Sequence, residues 1–333
     1  MDIAMKATIK TLIASVSIAS SISSAIAADY TMRLAHQLPG SHHVAQAIEA
    51  FADEVKTNSN GRIEVQIFGG AQLYGPTEFH AAVARGHIEA ASIVSLLWGG
   101  TIPEMQVFNI PYLMTGRHQL EQFPTSEAAA ILDDKMASKG VKNLAWLLDA
   151  NNAAFTSSDA PLIAPDDFQG TKIRGLSRVF DAGLIAMGAS PATMPGSEVY
   201  QGLQTGVIDA AITSTDAVYS RRYFEVQDYA VASNLITVYQ NIIVNPQWWE
   251  SLPEDLQSLV ESAASSTENV LLPETDEIDP TGIAKLEENN VEVTVLSDEQ
   301  VDALRIAMQP AVEQAFIESA NDGERLIELI KQL

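Results

Sequence analysis

The first part of the chain alternates between the apolar spacing of a strand and that of a helix. Apolar residues recur every three or four positions over 42–57, which predicts an amphipathic helix, and every second position over 63–67, which predicts a strand. Strands at 31–35 and 90–97 and a helix at 76–85 complete a β-α-β-α-β unit. The parallel strands of such a unit are joined by right-handed helical crossovers.

The same order of elements is predicted again in the middle of the chain. Strands are expected at 171–175, 192–194 and 207–213, and helices at 178–187 and 197–206. Ser197 is predicted to cap the second of these helices and Gly206 to end it. Two such units predict two α/β lobes, with one ligand cleft between the carboxyl ends of their strands.

Later segments are predicted to connect the lobes. Residues 229–244 form a β-rich run that is long enough to cross between them. Capping boxes are predicted at Ser251 with Glu254, which opens a helix to about residue 272, and at Ser297 with Gln300. Long connecting elements of this kind are candidate hinges for closure around a ligand.

The lobes are expected to be discontinuous in sequence. Lobe I is predicted to comprise 28–150 and 240–275, and lobe II 151–239 and 276–333.

The N-terminus has the pattern of an export signal. Lys6 and Lys10 precede the small, apolar, uncharged segment 11–24, and an A-x-A cleavage motif follows at 25–27. As a membrane anchor, the alternative, the apolar segment is too short and too rich in serine. Cleavage near Ala27 is therefore expected, with the exported chain in the periplasm.

Composition excludes several classes of protein. The chain has 333 residues, no cysteine and a formal net charge of −24, which becomes −25 when Lys6, Lys10 and Asp2 are removed with the signal. Thiol catalysis and cysteine metal sites are absent, and nucleic acid is not an expected partner, because it requires a basic face. Because the chain is strongly acidic, an anionic ligand would need a positive charge close to it, supplied by a buried arginine.

Residues 165–212, PDDFQGTKIRGLSRVFDAGLIAMGASPATMPGSEVYQGLQTGVIDAAI, resemble the core signature of the solute-binding proteins of tripartite ATP-independent periplasmic (TRAP) transporters, the DctP family. Other segments resemble further landmarks of that family: YTMRLAHQLPG, GGAQLYGPTEF, VFNIPYLM, YFEVQDY and SLPEDLQSLV. The resemblance implies a two-lobed, periplasmic-binding-protein-like fold without a cofactor. It also implies capture of a small organic acid and delivery to the small and large TRAP membrane subunits. A monomer is expected.

The resemblance assigns the family's carboxylate-binding arginine to Arg174. A guanidinium stays charged and donates two parallel hydrogen bonds to a carboxylate. Alternatively, Arg174 pairs with an acidic side chain such as Asp166 or Asp167.

Three positions depart from the best-known family pattern. Ala154 stands where many members have another arginine, Gly196 where many have an aromatic residue, and Thr213 where many have an asparagine. The changes argue against the family's sialic-acid and ectoine types of site. They leave open volume and hydroxyl groups, which favours a sugar acid such as a uronate or aldonate. Dicarboxylates, hydroxy acids and zwitterions remain alternatives.

Lobe II supplies three further candidates. Ser177 lies at a helix start, where free N–H groups favour anions. Arg178 is either a second ligand cation or a surface residue. Asp216 either accepts hydrogen bonds from the ligand or caps the helix that follows.

Lobe I and the crossing segment supply six more candidates. Gln37 matches a family contact position, and His36 beside it is either a ligand residue or structural. The remaining four are Ser95, Trp98, Tyr239 and Asn241. Trp98 either covers the ligand or is a half-buried residue of its lobe. Tyr239 and Asn241 share one face of a strand, which lines the cleft or forms a polar edge.

Catalysis and metal binding have little support in the sequence. The pair His42 and His43 is adjacent on one helix, so the rings are expected to point apart, and no carboxylate stands at a ligand spacing. The chain contains neither a phosphate-binding loop nor a GxSxG motif. A binding protein that presents its ligand to a membrane sensor, and a lyase or isomerase on the same scaffold, are the alternatives.

Overall fold

The computed structural model describes residues 28–333, except for the side chains of 273–279, and places them in two sheets that are covered by helices. The eleven strands are β1 Tyr30–Ala35, β2 Ile63–Phe68, β3 Ala90–Val94, β4 Lys142–Ala150, β5 Ala153–Ser157, β6 Lys172–Gly175, β7 Ser190–Thr193, β8 Ala210–Thr213, β9 Tyr229–Ser233, β10 Val238–Val244 and β11 Glu292–Val295. The α-helices are α1 His43–Asn58, α2 Phe79–Ala84, α3 Arg117–Gln122, α4 Glu127–Ser138, α5 Arg178–Ala186, α6 Gly196–Gln204, α7 Thr215–Ser220, α8 Pro246–Ser251, α9 Glu254–Glu288, α10 Asp298–Ser319 and α11 Gly323–Lys331. Within the described part, no helix has the length and apolar character of a membrane span.

Lobe I is built on a five-stranded sheet in the order β2-β1-β3-β10-β4. Strands β1, β2 and β3 are parallel, whereas β10 is antiparallel to both of its neighbours. The predicted β-α-β-α-β unit is confirmed here as β1-α1-β2-α2-β3. Strand β3 ends at Val94, earlier than predicted, because residues 95–100 form a 3-10 helix.

Lobe II is built on a six-stranded sheet in the order β11-β9-β5-β8-β6-β7. Its second β-α-β-α-β unit, β6-α5-β7-α6-β8, is also confirmed. Strand β6 is parallel to β7 and β8, while β5 is antiparallel to β8 and β9.

The chain passes between the lobes at several points. Strands β4 and β5 are consecutive but belong to different sheets, as are β9 and β10. The predicted run 229–244 is therefore two strands, separated at 234–237 where the chain crosses. Helix α9 packs against β4 and α1 of lobe I and against α7 and β11 of lobe II.

Two of the three predicted helix caps are wrong. Helix α6 begins after Pro195, and Ser197 lies inside it. Helix α9 begins after Pro253, while the Ser251 hydroxyl donates to Trp248 O at the end of α8. The box at Ser297 and Gln300 is confirmed, with bonds of 3.4 and 2.8 Å. Helix α9 runs past residue 272 to Glu288. The predicted signal segment lies outside the described residues.

Candidate binding site

A small cavity lies between the lobes, at the ends of β6 and β8 on one side and β4 and β10 on the other. The volume of the cavity is about 40 Å³. Lobe I and the crossing segment contribute Gln37, His42, Val94, Leu96, Asp149, Ile236, Val238 and Gln240. Lobe II contributes Arg174, Leu176, Gly196, Thr213, Ser214, Ala217 and Arg221.

Arg174 is buried in this cavity and is held by backbone carbonyls. Its Nη1 donates to Ile212 O at 2.6 Å and its Nε to Met194 O at 3.2 Å. Burial lowers the pKa of Arg174 to about 10, so it stays charged at neutral pH. It forms no ion pair with any described carboxylate, and both alternative partners, Asp166 and Asp167, are exposed. The charge is thus oriented by the fold without being neutralised.

A second guanidinium lies beside Gly196. A Cβ atom at Gly196 would lie 1.5 Å from Nη1 of Arg221 and 2.5 Å from its Cζ. The volume expected from the missing aromatic ring is therefore occupied by Arg221. Its Nε and Nη1 atoms are buried and have no hydrogen-bond partner in the described structure.

The opposite wall presents acceptors. Gln37 Oε1, Asp149 Oδ1 and Gln240 Oε1 are buried, and no described residue donates to them. Gln240 is fixed by its Nε2, which donates to Asp149 Oδ2 at 2.7 Å. Because burial of polar atoms without partners costs about 1–3 kcal/mol each, this wall suits a ligand that carries donors.

A histidine–aspartate cluster joins the lobes beside the cavity. His43 Nδ1 lies 3.3 Å from Asp216 Oδ2, and His42 Nε2 lies 3.6 Å from both Asp216 Oδ2 and Asp149 Oδ1. The two rings are stacked with centroids 4.7 Å apart, so the expectation that they point apart is wrong. The expectation of no nearby carboxylate is also wrong, because α7 of the other lobe supplies Asp216.

The hydrogen bonds of this cluster show whether it is a metal site or a clasp, that is, a hydrogen-bonded contact that holds the two lobes together. The ligand atoms of His42, His43 and Asp216 all lie within 4.8 Å of one another. However, Val44 N donates to Nδ1 of His42 at 3.3 Å, which assigns the ring proton to Nε2, facing the carboxylates. A metal-ligating histidine normally donates its other N–H instead of accepting there. The cluster is therefore a hydrogen-bonded clasp between the lobes.

The pKa values of the two histidines of the clasp are shifted in opposite directions. Burial lowers the pKa of His42 to about 3, so it is neutral. Burial also opposes protonation of His43, but the hydrogen bond to Asp216 and the charge of Asp149 outweigh it and raise the pKa. Burial likewise opposes ionisation of Asp216, whose pKa is nevertheless lowered by the bond from His43.

We expect the clasp to weaken as the pH rises. The His43 contribution is complete below its ordinary pKa of about 6.5 and is lost as the pH passes the raised value in the folded protein. The Asp216 contribution is present above about 3.8 and is lost only in stronger acid. The melting temperature of wild type relative to H43Q should therefore fall by about 2 °C between pH 6 and pH 9.

The comparison with H43Q removes the titration of His43 while keeping a donor to Asp216, because glutamine can still donate to that carboxylate. Other groups that act on the clasp, namely Asp149, Arg221 and His36, are present in both proteins. H87Q, at an exposed histidine, is the control. A difference between wild type and H43Q that stays constant or grows from pH 6 to pH 9 would contradict the assignment.

The predicted site residues of β10 lie on the other side of the strand. Tyr239 and Asn241 do share a face, but it points away from the cavity. Tyr239 packs among aromatic rings, and Asn241 donates to Asn143 Oδ1 at 3.3 Å. The cavity is lined by Val238 and Gln240, because side chains alternate along a strand.

Ser95, Trp98 and His36 are buried but do not line the cavity. Ser95 Oγ accepts from Tyr239 N at 3.3 Å, and Trp98 packs in the core of lobe I against His80. His36 Nδ1 accepts from Leu38 N at 3.2 Å. The turn of the 3-10 helix at residues 95–100 carries the first two away from the end of β3.

Of the other predicted site residues, some line the cavity and some do not. Gln37, Arg174 and Thr213 line the cavity. Ser177 caps α5 by accepting from Phe180 N at 3.2 Å. Ser177 and the exposed Arg178 line a neighbouring depression, which shares Leu96 and Leu176 with the cavity.

Asp216 does not cap the helix that follows, and it does not line the cavity. Ser214 caps α7, with its Oγ accepting from Ala217 N at 3.3 Å. Asp216 instead belongs to the clasp, behind the cavity wall.

Sequence reasoning missed Arg221, Asp149 and Gln240. Arg221 stands next to Arg222, and nothing in that pair shows which one turns inward. Asp149 had a signal, since it is a single acid near the end of the apolar strand β4.

A small cavity with polar lining residues between two α/β lobes is typical of a protein that binds a small solute. The chain belongs to the DctP family, the bacterial extracellular solute-binding proteins of family 7, which it matches over residues 34–319. It is a solute-binding protein of TRAP transporters, which confirms the resemblance seen in the sequence. The family consists of periplasmic substrate-binding receptors, not of enzymes.

Relatives of this chain have different ligands in their names. The C4-dicarboxylate-binding periplasmic protein DctP of Rhodobacter capsulatus is 30% identical over 82% of this chain and 79% of its own length. A TRAP periplasmic solute-binding protein from Sulfurospirillum deleyianum, with bound succinate, is 29% identical with a TM-score of 0.84, covering 91% of this chain and 98% of that one. Another from Roseobacter denitrificans, with bound β-D-glucuronate, is 25% identical with a TM-score of 0.83, covering 90% and 99%.

Proposed function

We propose that this protein captures a small carboxylate between its lobes, and that Arg174 is the anchor of the carboxylate group. The observation that carries the proposal is a buried guanidinium, inside an enclosed cavity, that no described carboxylate neutralises. Two backbone carbonyls fix its position before the ligand arrives. An arginine oriented in this way needs little reorganisation to form charge-assisted hydrogen bonds with a carboxylate.

The ligand class that suits both walls is a hydroxylated acid, with a sugar acid such as a uronate or aldonate as the best candidate. The carboxylate would accept hydrogen bonds from Arg174, and the hydroxyl groups would donate to Gln37 and Gln240. Thr213 and Ser214 offer further hydroxyl contacts. The Roseobacter relative with bound glucuronate supports this class.

A C4-dicarboxylate is the second candidate. Two guanidinium groups, those of Arg174 and Arg221, line the same cavity, and the Rhodobacter relative is named for C4-dicarboxylates. The buried acceptors of the opposite wall favour the hydroxylated acid over this alternative.

Membership of the family supports the rest of the proposed pathway. The signal segment would be cleaved near Ala27, and the closed, ligand-bound monomer would be delivered in the periplasm to the small and large TRAP membrane subunits. Contacts to both lobes favour the closed state only while ligand is present. No cofactor takes part in this capture.

A thermal-shift screen tests the function. The panel would contain D-glucuronate, D-galacturonate, D-gluconate, L-malate and succinate, each with a matched neutral sugar or diol. A ligand at a hundred times its dissociation constant stabilises by about 2.7 kcal/mol, which raises the melting temperature by roughly 5–10 °C. We expect shifts of this size only with acids, and largest with a sugar acid.

Two outcomes would count against the proposal. Stabilisation by neutral sugars as strong as by the acids would overturn the carboxylate assignment. A shift with succinate alone would replace the sugar acid by the dicarboxylate.

A further inference from the structure

We propose that Arg221 is a second ligand-binding guanidinium and that glycine is required at position 196 to leave room for its side chain. The inference rests on the proposed function, because it assigns a further residue to the same carboxylate. It makes the pair of positions 196 and 221, and not Arg221 alone, the determinant of ligand choice at this end of the cavity.

The contact between the two residues leaves no room for another side chain. A Cβ atom at position 196 would lie 1.5, 2.5 and 2.9 Å from Nη1, Cζ and Nη2 of Arg221. Real Cβ atoms do not approach other heavy atoms that closely, so alanine there must displace the guanidinium. A larger side chain at position 196 would compete for the whole of the space that Arg221 fills.

Neighbouring residues fix the positions of Gly196 and Arg221. Tyr223, which is fully buried, donates from its hydroxyl to Gly196 O at 3.1 Å and so fixes the backbone at the start of α6. Arg221 caps the C-terminus of α7 through its backbone N–H. The next residue, Arg222, takes a left-handed conformation and points outward to Glu225. The reversal of the chain at Arg222 therefore leaves Arg221 directed inward.

The side chain of Arg221 is placed for a ligand and has no other described partner. Its Nε and Nη1 atoms are buried without a hydrogen bond, and no described carboxylate lies within ion-pair distance. The positive charge of Arg221 opposes that of Arg174, the pKa of which it helps to lower after burial. An anion between the two guanidiniums would relieve this repulsion and satisfy the buried N–H groups.

The expected chemistry is an oxygen-rich anionic end that accepts from two directions. A carboxylate with a hydroxyl or ring oxygen on the neighbouring carbon, as in a uronate or aldonate, offers three acceptors at one end. A carboxylate without that oxygen leaves part of the Arg221 donor set unused.

The test is a double-mutant cycle with R221Q, G196A and the combined variant. Affinity would be measured by calorimetry for each acid of the panel that wild type binds. We expect R221Q and G196A each to bind at least tenfold more weakly, and the combined variant to lose no more than about threefold beyond R221Q. Such non-additivity is expected if glycine acts by leaving room for the arginine.

Matched controls separate this effect from general damage. R222Q alters the adjacent, exposed arginine, and G40A adds a Cβ where no atom lies within 4 Å. Both should bind like wild type. Far-UV spectra and melting temperatures would establish that each variant folds, and R221K, which keeps the charge, would serve if R221Q does not.

The failures are distinguishable. If wild type binds no acid of the panel, the proposed function is overturned, and the inference with it. If wild type binds and R221Q retains affinity within threefold, only the role of Arg221 is overturned. If the losses of G196A and R221Q simply add, the proposed dependence of Arg221 on Gly196 is overturned.

Discussion

Replacing Arg174 with alanine is expected to weaken carboxylate binding by roughly a hundred- to a few-thousand-fold. Removal of one partner of a buried charge pair costs about 3–5 kcal/mol, and each 1.4 kcal/mol is tenfold in affinity. Arg174 meets the conditions for a cost of this size, since it is buried and carries two bonds that fix its orientation. Calorimetry with the acid that gives the largest thermal shift would measure the change.

The neighbouring arginine supplies the control. R178A removes the same side chain four positions along, but at an exposed position outside the cavity, and should leave the affinity unchanged. R174K should recover only part of the binding, because an ammonium group cannot donate two parallel hydrogen bonds in a plane. If R174A is folded and binds within a few fold of wild type, Arg174 is a structural residue that links Met194 and Ile212.

Replacing Trp146 with alanine is expected to lower the free energy of unfolding by about 3–5 kcal/mol, the usual cost of truncating a buried aromatic side chain. Trp146 lies at the centre of an aromatic cluster, with ring centroids 5.2 Å from Phe123, 5.8 Å from Phe108 and 5.9 Å from Tyr239. Its Nε1 also donates to Asp133 Oδ1 at 3.1 Å. The variant therefore loses packing on three sides and one hydrogen bond. Urea unfolding monitored by circular dichroism would measure the loss.

The effect should be confined to stability. Trp146 does not line the cavity, so W146A at a temperature where it remains folded should bind its acid like wild type. W248A, at a half-buried tryptophan of the same lobe, should cost clearly less. Equal costs for the two variants would show that the cluster behind β10 adds nothing beyond ordinary burial.

The fold was predictable because its signals are local and repeated. Apolar spacing of two kinds located both β-α-β-α-β units, and the box at Ser297 and Gln300 located the start of α10. The errors have different causes, one of them distant in sequence and one local. The run 229–244 has the composition of one long strand, yet its halves belong to different sheets, and that is decided by pairing with distant strands. Ser251 closes one short helix, so it cannot also open the next.

The site was predictable only in part. Arg174 was located by resemblance to a family signature, and Gln37 by the same route. The face of β10 that lines the cavity depends on how the strand sits between β3 and β4, which alternation alone does not determine. Arg221 and the clasp needed the folded chain, because their partners, Gly196 and Asp216, are contacts between segments far apart in sequence or in different lobes.

Helix α9 has a mechanical consequence for the opening of the cleft. At 1.5 Å per residue its 35 residues span about 52 Å, and it packs on both lobes along that length. The lobes therefore cannot rotate apart freely, because α9 is packed on both of them. Opening must either bend this helix or slide it across one of the two surfaces. Pro273 and Pro280 lie inside α9 and lack a backbone N–H, so they interrupt its hydrogen bonds and favour bending there. We expect release of the solute to depend on the bending of α9 as well as on the contacts that the solute loses.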